Sequence, residues 1–351
     1  MKHTNSFLRR LATGFLCLFA VALVGCTPKN GVVMDTTQRL PQQVTTKSGI
    51  RFVWGPEVKQ AALQLIAHSH HEVYLEMYEL SDPDIMSALA EAHKHKLDVR
   101  VVLDATESHS TETGFPTLQK DGVNVRQLSI KEGIDHVKML VTDDGVLIGG
   151  MNFGDQSWKN NDASVVIMHP NASFKTMFLW DFARAGGQAV EAPTLQLPLV
   201  DDAHIQTAVL HAIQTARKTI DMEAFVLSDK QVVSALEAAV GRGVALNLLV
   251  DPTEYYNRAS VDALRNAGAM VRYYRPYDGE LMHAKIIDVD DGKTFIIGSA
   301  NFSHQAYTYN HEADVVLQNV PQLDASFRDD LSTQMARGTD YPMKESQHAW
   351  G

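Results

Sequence analysis

Two stretches of the 351-residue chain, HVKMLVTDDGVLIGGMN from His136 to Asn152 and HAKIIDVDDGKTFIIGSAN from His283 to Asn301, present the same reactive side chains in the same order. Each carries a histidine, a lysine two residues later, an aspartate and an asparagine: His136, Lys138, Asp143 and Asn152, then His283, Lys285, Asp290 and Asn301. A neutral imidazole can attack or accept a proton while a protonated one donates. Lysine and asparagine can hold oxygens on which negative charge grows in a transition state. One imidazole cannot occupy both protonation states at once, so two copies have a chemical purpose that one lacks.

Positioning these groups calls for hairpins. Asp144-Gly145 and Asp291-Gly292 are turn signals between strand-like runs. Residues two apart on a strand face the same way, so His136 projects with Lys138 and His283 with Lys285. The returning strands bring Gly149, Gly150 and Asn152, or Gly298, Ser299 and Asn301, beside the histidine, and the small residues permit close approach to the backbone. Asp143 lies roughly 23 Å from His136, at about 3.3 Å per extended residue. Asp143 and Asp290 are therefore expected to serve the hairpin turns, as acceptors or ion-pair partners, away from the chemistry.

The duplication extends well beyond the motifs. Glu76 in YLEMYELSD matches Glu223 in DMEAFVLSD, Asp104 in VVLDAT matches Asp251 in LLVDPT, and His136 matches His283, each pair offset by 147 residues. Both units open with an amphipathic helical pattern, Val58, Ala61, Ala62, Leu65, Ile66 and Ile205, Ala208, Val209, Ala212, Ile213. A strand, a helix capped by SDPD or SDKQ, and further strands follow. The expected fold is α/β: two repeated units packed as a pseudo-dimer. The predicted boundaries are 50–195 for the first repeat and 196–340 for the second, with a polar tether over 26–49 and a C-terminal tail over 341–351.

His136, Lys138, Asp143 and their second copies fit the HxKxxxxD signature of the phospholipase D superfamily, and GGMN and GSAN stand where that family has a GSxN element. The chain resembles that superfamily over roughly residues 50–320. The resemblance implies a phosphodiester-cleaving site where the two motifs meet, one histidine attacking phosphorus and the other protonating the leaving oxygen. Lys138, Lys285, Asn152 and Asn301 would hold the non-bridging oxygens. It also implies that Asp162 in NNDASVVI and Glu312 in NHEADVVL are the acids that hydrogen-bond a catalytic histidine. The first copy departs from the pattern, with Gly150 where the second has Ser299, and so is expected to lack one hydroxyl contact. No metal and no cofactor are implied.

Residues 1–25 read as an export signal, with Lys2, Arg9 and Arg10 ahead of an apolar run too short for an ordinary spanning helix. The run ends in LVGC, which resembles a bacterial lipoprotein cleavage box and implies a lipid on Cys26. Cys17 would be discarded, leaving neither disulfide nor thiol catalyst. Removal of the three basic residues takes the net charge from −11 to −14, which argues against general binding of nucleic acid or anionic surfaces. The expectation is an exported enzyme, lipid-anchored to the bacterial cell envelope. It would hydrolyse or transphosphatidylate phospholipid phosphodiester bonds through a phosphohistidine, with no protein partner implied. An exported endonuclease and a cardiolipin synthase-like phosphatidyl transferase are the alternatives, and a non-catalytic binder is disfavoured because all eight motif residues are present.

His68, His70, His71, His93 and His95 are expected at exposed helix ends rather than on a metal. Glu76 and Glu223, each in a buried strand, either line the cleft or form structural ion pairs. Tyr255, Tyr256, Tyr273, Tyr274 and Tyr277 either line an acyl-chain entrance or pack at strand ends. Arg272 and Arg275, alternating with them, could instead serve a single nucleic-acid strand.

Overall fold

The computed structural model of the chain describes residues 38 and 40–342. The expected signal segment, Cys26, the first part of the tether and the tail beyond residue 342 lie outside the described residues.

The first repeat comprises β1 (Val44–Thr45), β2 (Ile50–Trp54), α1 (Pro56–His68), β3 (Glu72–Met77), α2 (Pro83–Lys94), β4 (Asp98–Asp104), α3 (Phe115–Lys120) and β5 (Asn124–Leu128), then β6 (Lys138–Thr142), β7 (Gly145–Gly149), β8 (Ala163–Met168) and α4 (Ser173–Ala185). The second runs through β9 (Leu199–Asp201), α5 (Asp202–Thr215), β10 (Thr219–Ala224), α6 (Lys230–Gly241), β11 (Ala245–Val250), α7 (Asn257–Ala267) and β12 (Met270–Tyr273), then β13 (Lys285–Val289), β14 (Thr294–Gly298), α8 (His304–Thr308), β15 (Ala313–Gln318) and α9 (Pro321–Arg337). The sheets are ordered β1-β2-β8-β7-β6-β3-β4-β5 and β12-β11-β10-β13-β14-β15-β9. In each, three parallel strands joined by helices meet an antiparallel block that begins with the strand just after the histidine, which carries the lysine.

Alternation along β6 and β13 sorts the side chains. Met139, Val141, Ala284 and Ile286 enter a core shared by the two sheets, with Phe52 of β2 packed edge-on against Phe295 of β14 at 5.6 Å. Leu140 and Ile287 turn outward into separate cores under α1 and α2 or α5 and α6. The apolar stripes of α4 and α9, including Phe178 and Phe327, close the shared core from its sides. Burial of both sheet faces explains why the strands read as nearly continuous apolar runs.

Part of the segment expected as a tether belongs to the fold. β1 pairs with β2 within residues 26–49, and Gln42 O accepts from Ser326 Oγ of α9 at 2.7 Å. The second hairpin also differs from the first, since Asp290, Asp291 and Gly292 all adopt positive φ in a longer loop. This shifts the offset from 147 residues at the histidines to 149 at Asn152 and Asn301.

Asp143 and Asp290 sit at the hairpins and bind backbone amides across the sheet end. Asp143 accepts from His71 at 2.9 Å, from Glu72 at 2.8 Å and from His70. Asp290 accepts from Arg217, Lys218 and Thr219 at 2.7–3.2 Å. Partial burial works against ionisation of both, and the amides more than offset it, lowering both pKa values. Asp143→Asn and Asp290→Asn are each expected to cost about 1–2 kcal/mol, read as a lowered Tm, with kcat per folded molecule within about twofold of wild type. Full thermal stability with activity lost would show that these carboxylates reach the chemistry.

Candidate active site

The two histidine segments meet at the interface, and each is clamped by the opposite repeat. Short β-bridges join Asp135 to His311 and Asn161 to Met282. The His136 amide donates to His311 O, and the His283 amide to Asn161 O, both at 2.8 Å. The side chains cross in the same sense: His136 Nδ1 lies 3.0 and 2.9 Å from the two oxygens of Glu312, and His283 Nδ1 lies 2.6 Å from Asp162 Oδ2. A carboxylate on Nδ1 selects the tautomer that leaves the Nε2 lone pair for chemistry.

Lys138 Nζ donates to the His136 carbonyl at 2.6 Å and Lys285 Nζ to the His283 carbonyl at 2.5 Å. Lys285 Nζ also lies 3.0 and 3.1 Å from the ring nitrogens of His283. Tyr78 backs the His136 ring at 5.0 Å and Phe225 backs His283 at 4.7 Å. Asp104 and Asp251 fix the segments from behind, accepting from the amides of Asp135 at 2.7 Å and Met282 at 2.9 Å.

All four basic groups are buried, and burial is the largest influence on each. Burial and then Lys285 push His283 down to about 4, against the pull of Asp162. Burial, followed by Lys138, lowers His136 in spite of Glu312. Lys138 falls to about 7 through burial and the charge of Lys285, and Lys285 to about 8 through burial. Burial opposes ionisation of Glu312, yet His136 holds it at about 2. Each histidine also feels the lysine of the other repeat, so the two sets form one electrostatic unit. A bound anion would supply the counter-charge that the lysines lack.

His136, Lys138, Asp162, His283, Lys285 and Glu312 thus come together. Ser299 takes a different place from the one expected: its hydroxyl donates to Glu312 Oε2 at 2.6 Å and accepts from the Ala313 amide at 3.0 Å, fully buried. It positions the acid that positions His136. The Gly150 departure is therefore not a lost substrate contact. A Cβ at Gly150 would stand 2.4 Å from Asp162 Oδ1, so the missing side chain makes room for the acid on His283. Asn152 Nδ2 donates to Glu79 Oε2 at 3.1 Å, and the side-chain oxygens of Asn152 and Asn301 are buried without a hydrogen-bond partner.

Glu76 and Glu223 do not share one environment. Glu76 faces His311 Nε2 at 3.8 Å, a ring that also contacts Asp181 at 3.1 Å and Asp202 at 3.0 Å. Among the described residues, Glu223 has no basic partner. The position of His311 in the other repeat is Asn161, which donates to Asp330 at 3.3 Å, and burial beside Asp330 raises Glu223 well above the usual carboxylate range. Among the described residues, two groups lie within metal-ligating distance, Glu76 with Asp181 and His311, and Asp221 with Asp288 and Asp324. His68, His70, His71, His93 and His95 belong to neither. Tyr273 and Tyr274 are buried packing residues, whereas Tyr255 and Tyr256 are exposed. Sequence reasoning missed Tyr78, Glu79 and His311 as neighbours of the site; Asp104 and Asp251 were visible only as markers of the repeat.

Two α/β repeats sharing one site of paired histidines and lysines define a phospholipase D-type chain. A family model described as "Cardiolipin synthase, PLD-like domain" matches residues 62–182 and 209–333, and the chain belongs to this family. It is 26% identical over 327 residues to cardiolipin synthase A of Pseudomonas putida (strain GB-1), covering 79% of this chain and 65% of that protein. It is 24% identical over 308 residues to cardiolipin synthase of Geobacillus kaustophilus (strain HTA426), covering 75% and 61%. The chain thus spans less than two thirds of the length of these relatives. Phosphatidylserine synthase of Haemophilus influenzae Rd KW20 shares the fold, with a TM-score of 0.61, 16% identity and coverage of 85% of this chain and 88% of that one.

Two outcomes are expected. Gly150→Ser should push Asp162 off His283 and lower kcat by roughly tenfold or more, about 1.4 kcal/mol of barrier; unchanged kcat would show that Asp162 orientation is dispensable. In the free enzyme, Lys138 and Lys285 lose their protons as pH rises through about 7 to 8, removing the charges that hold an anion. The kcat/KM for a soluble phosphodiester should therefore fall over that range, chiefly through KM. A flat profile from pH 6 to 9 would contradict this assignment.

Proposed function

We propose that the chain is a phosphatidyl transferase that cleaves a phospholipid phosphodiester through a phosphohistidine and passes the phosphatidyl group to an alcohol, or to water. The crossed pairing of His136 with Glu312 and His283 with Asp162 carries this reading, because it holds two imidazoles by their Nδ1 atoms beside a pair of buried lysines, with Lys285 Nζ 3.1 Å from His283 Nε2. One Nε2 forms the N–P bond as the P–O bond to the leaving alcohol breaks, and the other imidazole, protonated against its depressed pKa by the charge of the bound phosphate, gives that oxygen its proton. The second imidazole, now neutral, takes the proton of the incoming alcohol or water, whose oxygen displaces the first histidine. The relatives' names, cardiolipin synthase, support phosphatidyl transfer. In this reading residues 1–25 direct export and a lipid on Cys26 holds the cleft at a membrane, raising the local concentration of lipid substrate. Among the described residues, no helix is long and apolar enough to cross a membrane.

A nuclease reading finds less support. Arg272 is committed to Asp340 and to the Gly338 carbonyl, and acidic Glu79 and Glu107 stand near the site. A polyanion gains its affinity from several phosphate contacts with basic groups.

His136→Ala and His283→Ala should each reduce turnover of phospholipid vesicles to background. Acid-labile, base-stable phosphate should be trapped on one histidine of the wild type. Efficient cleavage of DNA at physiological salt, with no headgroup or phosphatidic acid released from vesicles, would overturn the lipid assignment.

A further inference from the structure

Matched positions in the two repeats carry opposite chemistry on the two walls of the site. Tyr78 and Glu79 follow β3, whereas Phe225 and Val226 follow β10. The backbone placement is equivalent, since Glu79 O accepts from Phe153 N and Val226 O from Phe302 N, both at 3.0 Å. Glu79 reaches Asn152 and also lies 3.4 Å from Ser157 Oγ and 3.9 Å from His109 Nδ1. A Cβ at Gly154 would collide with Glu79 Oε1 at 1.9 Å; the second repeat has Ser303 in that place. The glycine of the first repeat therefore leaves room for a carboxylate beside Asn152. The loops after β4 and β11 extend the contrast. Glu107 is matched by Glu254, but Ser108 and His109, the latter joined to Glu107 at 3.0 Å, are replaced by Tyr255 and Tyr256. Tyr255 and Tyr256 are each 67% exposed, and their rings pack together at 6.2 Å.

We propose that the cleft is polarised: the first repeat, through Glu79, receives the alcohol part of the phosphodiester, and the second, through Phe225, Val226, Tyr255 and Tyr256, receives the acylglycerol part. This rests on the phospholipid reading above. The ligand class at Glu79 is a neutral or cationic hydrogen-bond donor, a hydroxyl or an ammonium. A carboxylate seated among buried groups accepts such hydrogen bonds and repels an anionic headgroup. The aromatic pair offers large apolar area with polar tips, suited to a lipid edge at a water boundary.

The test compares wild type, Glu79→Val, which installs the residue of the opposite wall, and the double variant Tyr255→Ala/Tyr256→Ala on three probes. These are vesicles containing phosphatidylethanolamine, vesicles containing phosphatidylserine, and soluble bis(p-nitrophenyl) phosphate, which has neither headgroup nor acyl chain. In wild type, kcat/KM should favour phosphatidylethanolamine over phosphatidylserine, and Glu79→Val should cut that ratio at least tenfold. A role limited to holding Asn152 would lower all three probes alike and leave the ratio unchanged, which overturns the assignment of Glu79. The tyrosine variant should raise KM for vesicles at least fivefold more than KM for the soluble diester; equal changes overturn the acyl wall. Turnover of the soluble diester with no turnover of either vesicle would instead mean that the phospholipid reading itself has failed.

Discussion

The structure depends on a crossed contact: each histidine takes its carboxylate from the other repeat. His136 is held by Glu312 and His283 by Asp162, and the β-bridges at Asp135 and Asn161 bring the corresponding backbones together. Neither repeat alone supplies both His136 or His283 and the carboxylate on its Nδ1. The shared core, with Phe52 against Phe295 and the stripes of α4 and α9 around it, thus sets the register of the chemistry as well as contributing stability. A slip at this interface would separate both histidines from their acids at once, which is the precision that a preorganised site requires.

Crossing also balances charge. Two lysines and two histidines buried together repel one another, and burial disfavours every charged form. Glu312 and Asp162 offset part of this, and both are held ionised below the usual carboxylate range. What remains is a depressed set of basic groups that an anion would complete. Gathering these groups costs folding stability, which a bound anion would offset.

Much of this arrangement was legible in the sequence, and the limits have physical causes. The 147-residue offset and the two-residue spacing of histidine and lysine revealed the duplication and the shared face, because both depend on local periodicity. Asp143 and Asp290 could be excluded from the site by extended-chain distance alone. The crossed partners could not be read this way, since 176 and 121 residues separate them and nothing local records which repeat an acid will serve. Burial at Glu76 and Glu223 was visible in the strand pattern, but their different fates turn on His311 against Asn161, contributed by the other repeat. The tether was misjudged because its polar composition hides the short pairing of β1, an edge contact that needs no apolar run.

Duplication has let the halves diverge where symmetry is not needed. Glu312 is one methylene longer than Asp162, and it is steadied by Ser299 and by Asn310 at 3.0 Å. Asp162 is shorter, presses against the open space at Gly150 and takes its own Ala163 amide at 2.8 Å. Serine with glutamate and glycine with aspartate are two packing solutions to one requirement, a carboxylate on Nδ1. The walls diverge further, with Glu79 over Gly154 opposed by Val226 near Ser303. A phosphodiester has a symmetric centre and two unlike substituents. In the function proposed above, such a centre would constrain the histidines and lysines to remain matched, while the substituents would lie beyond it, where each repeat is free to present a different surface.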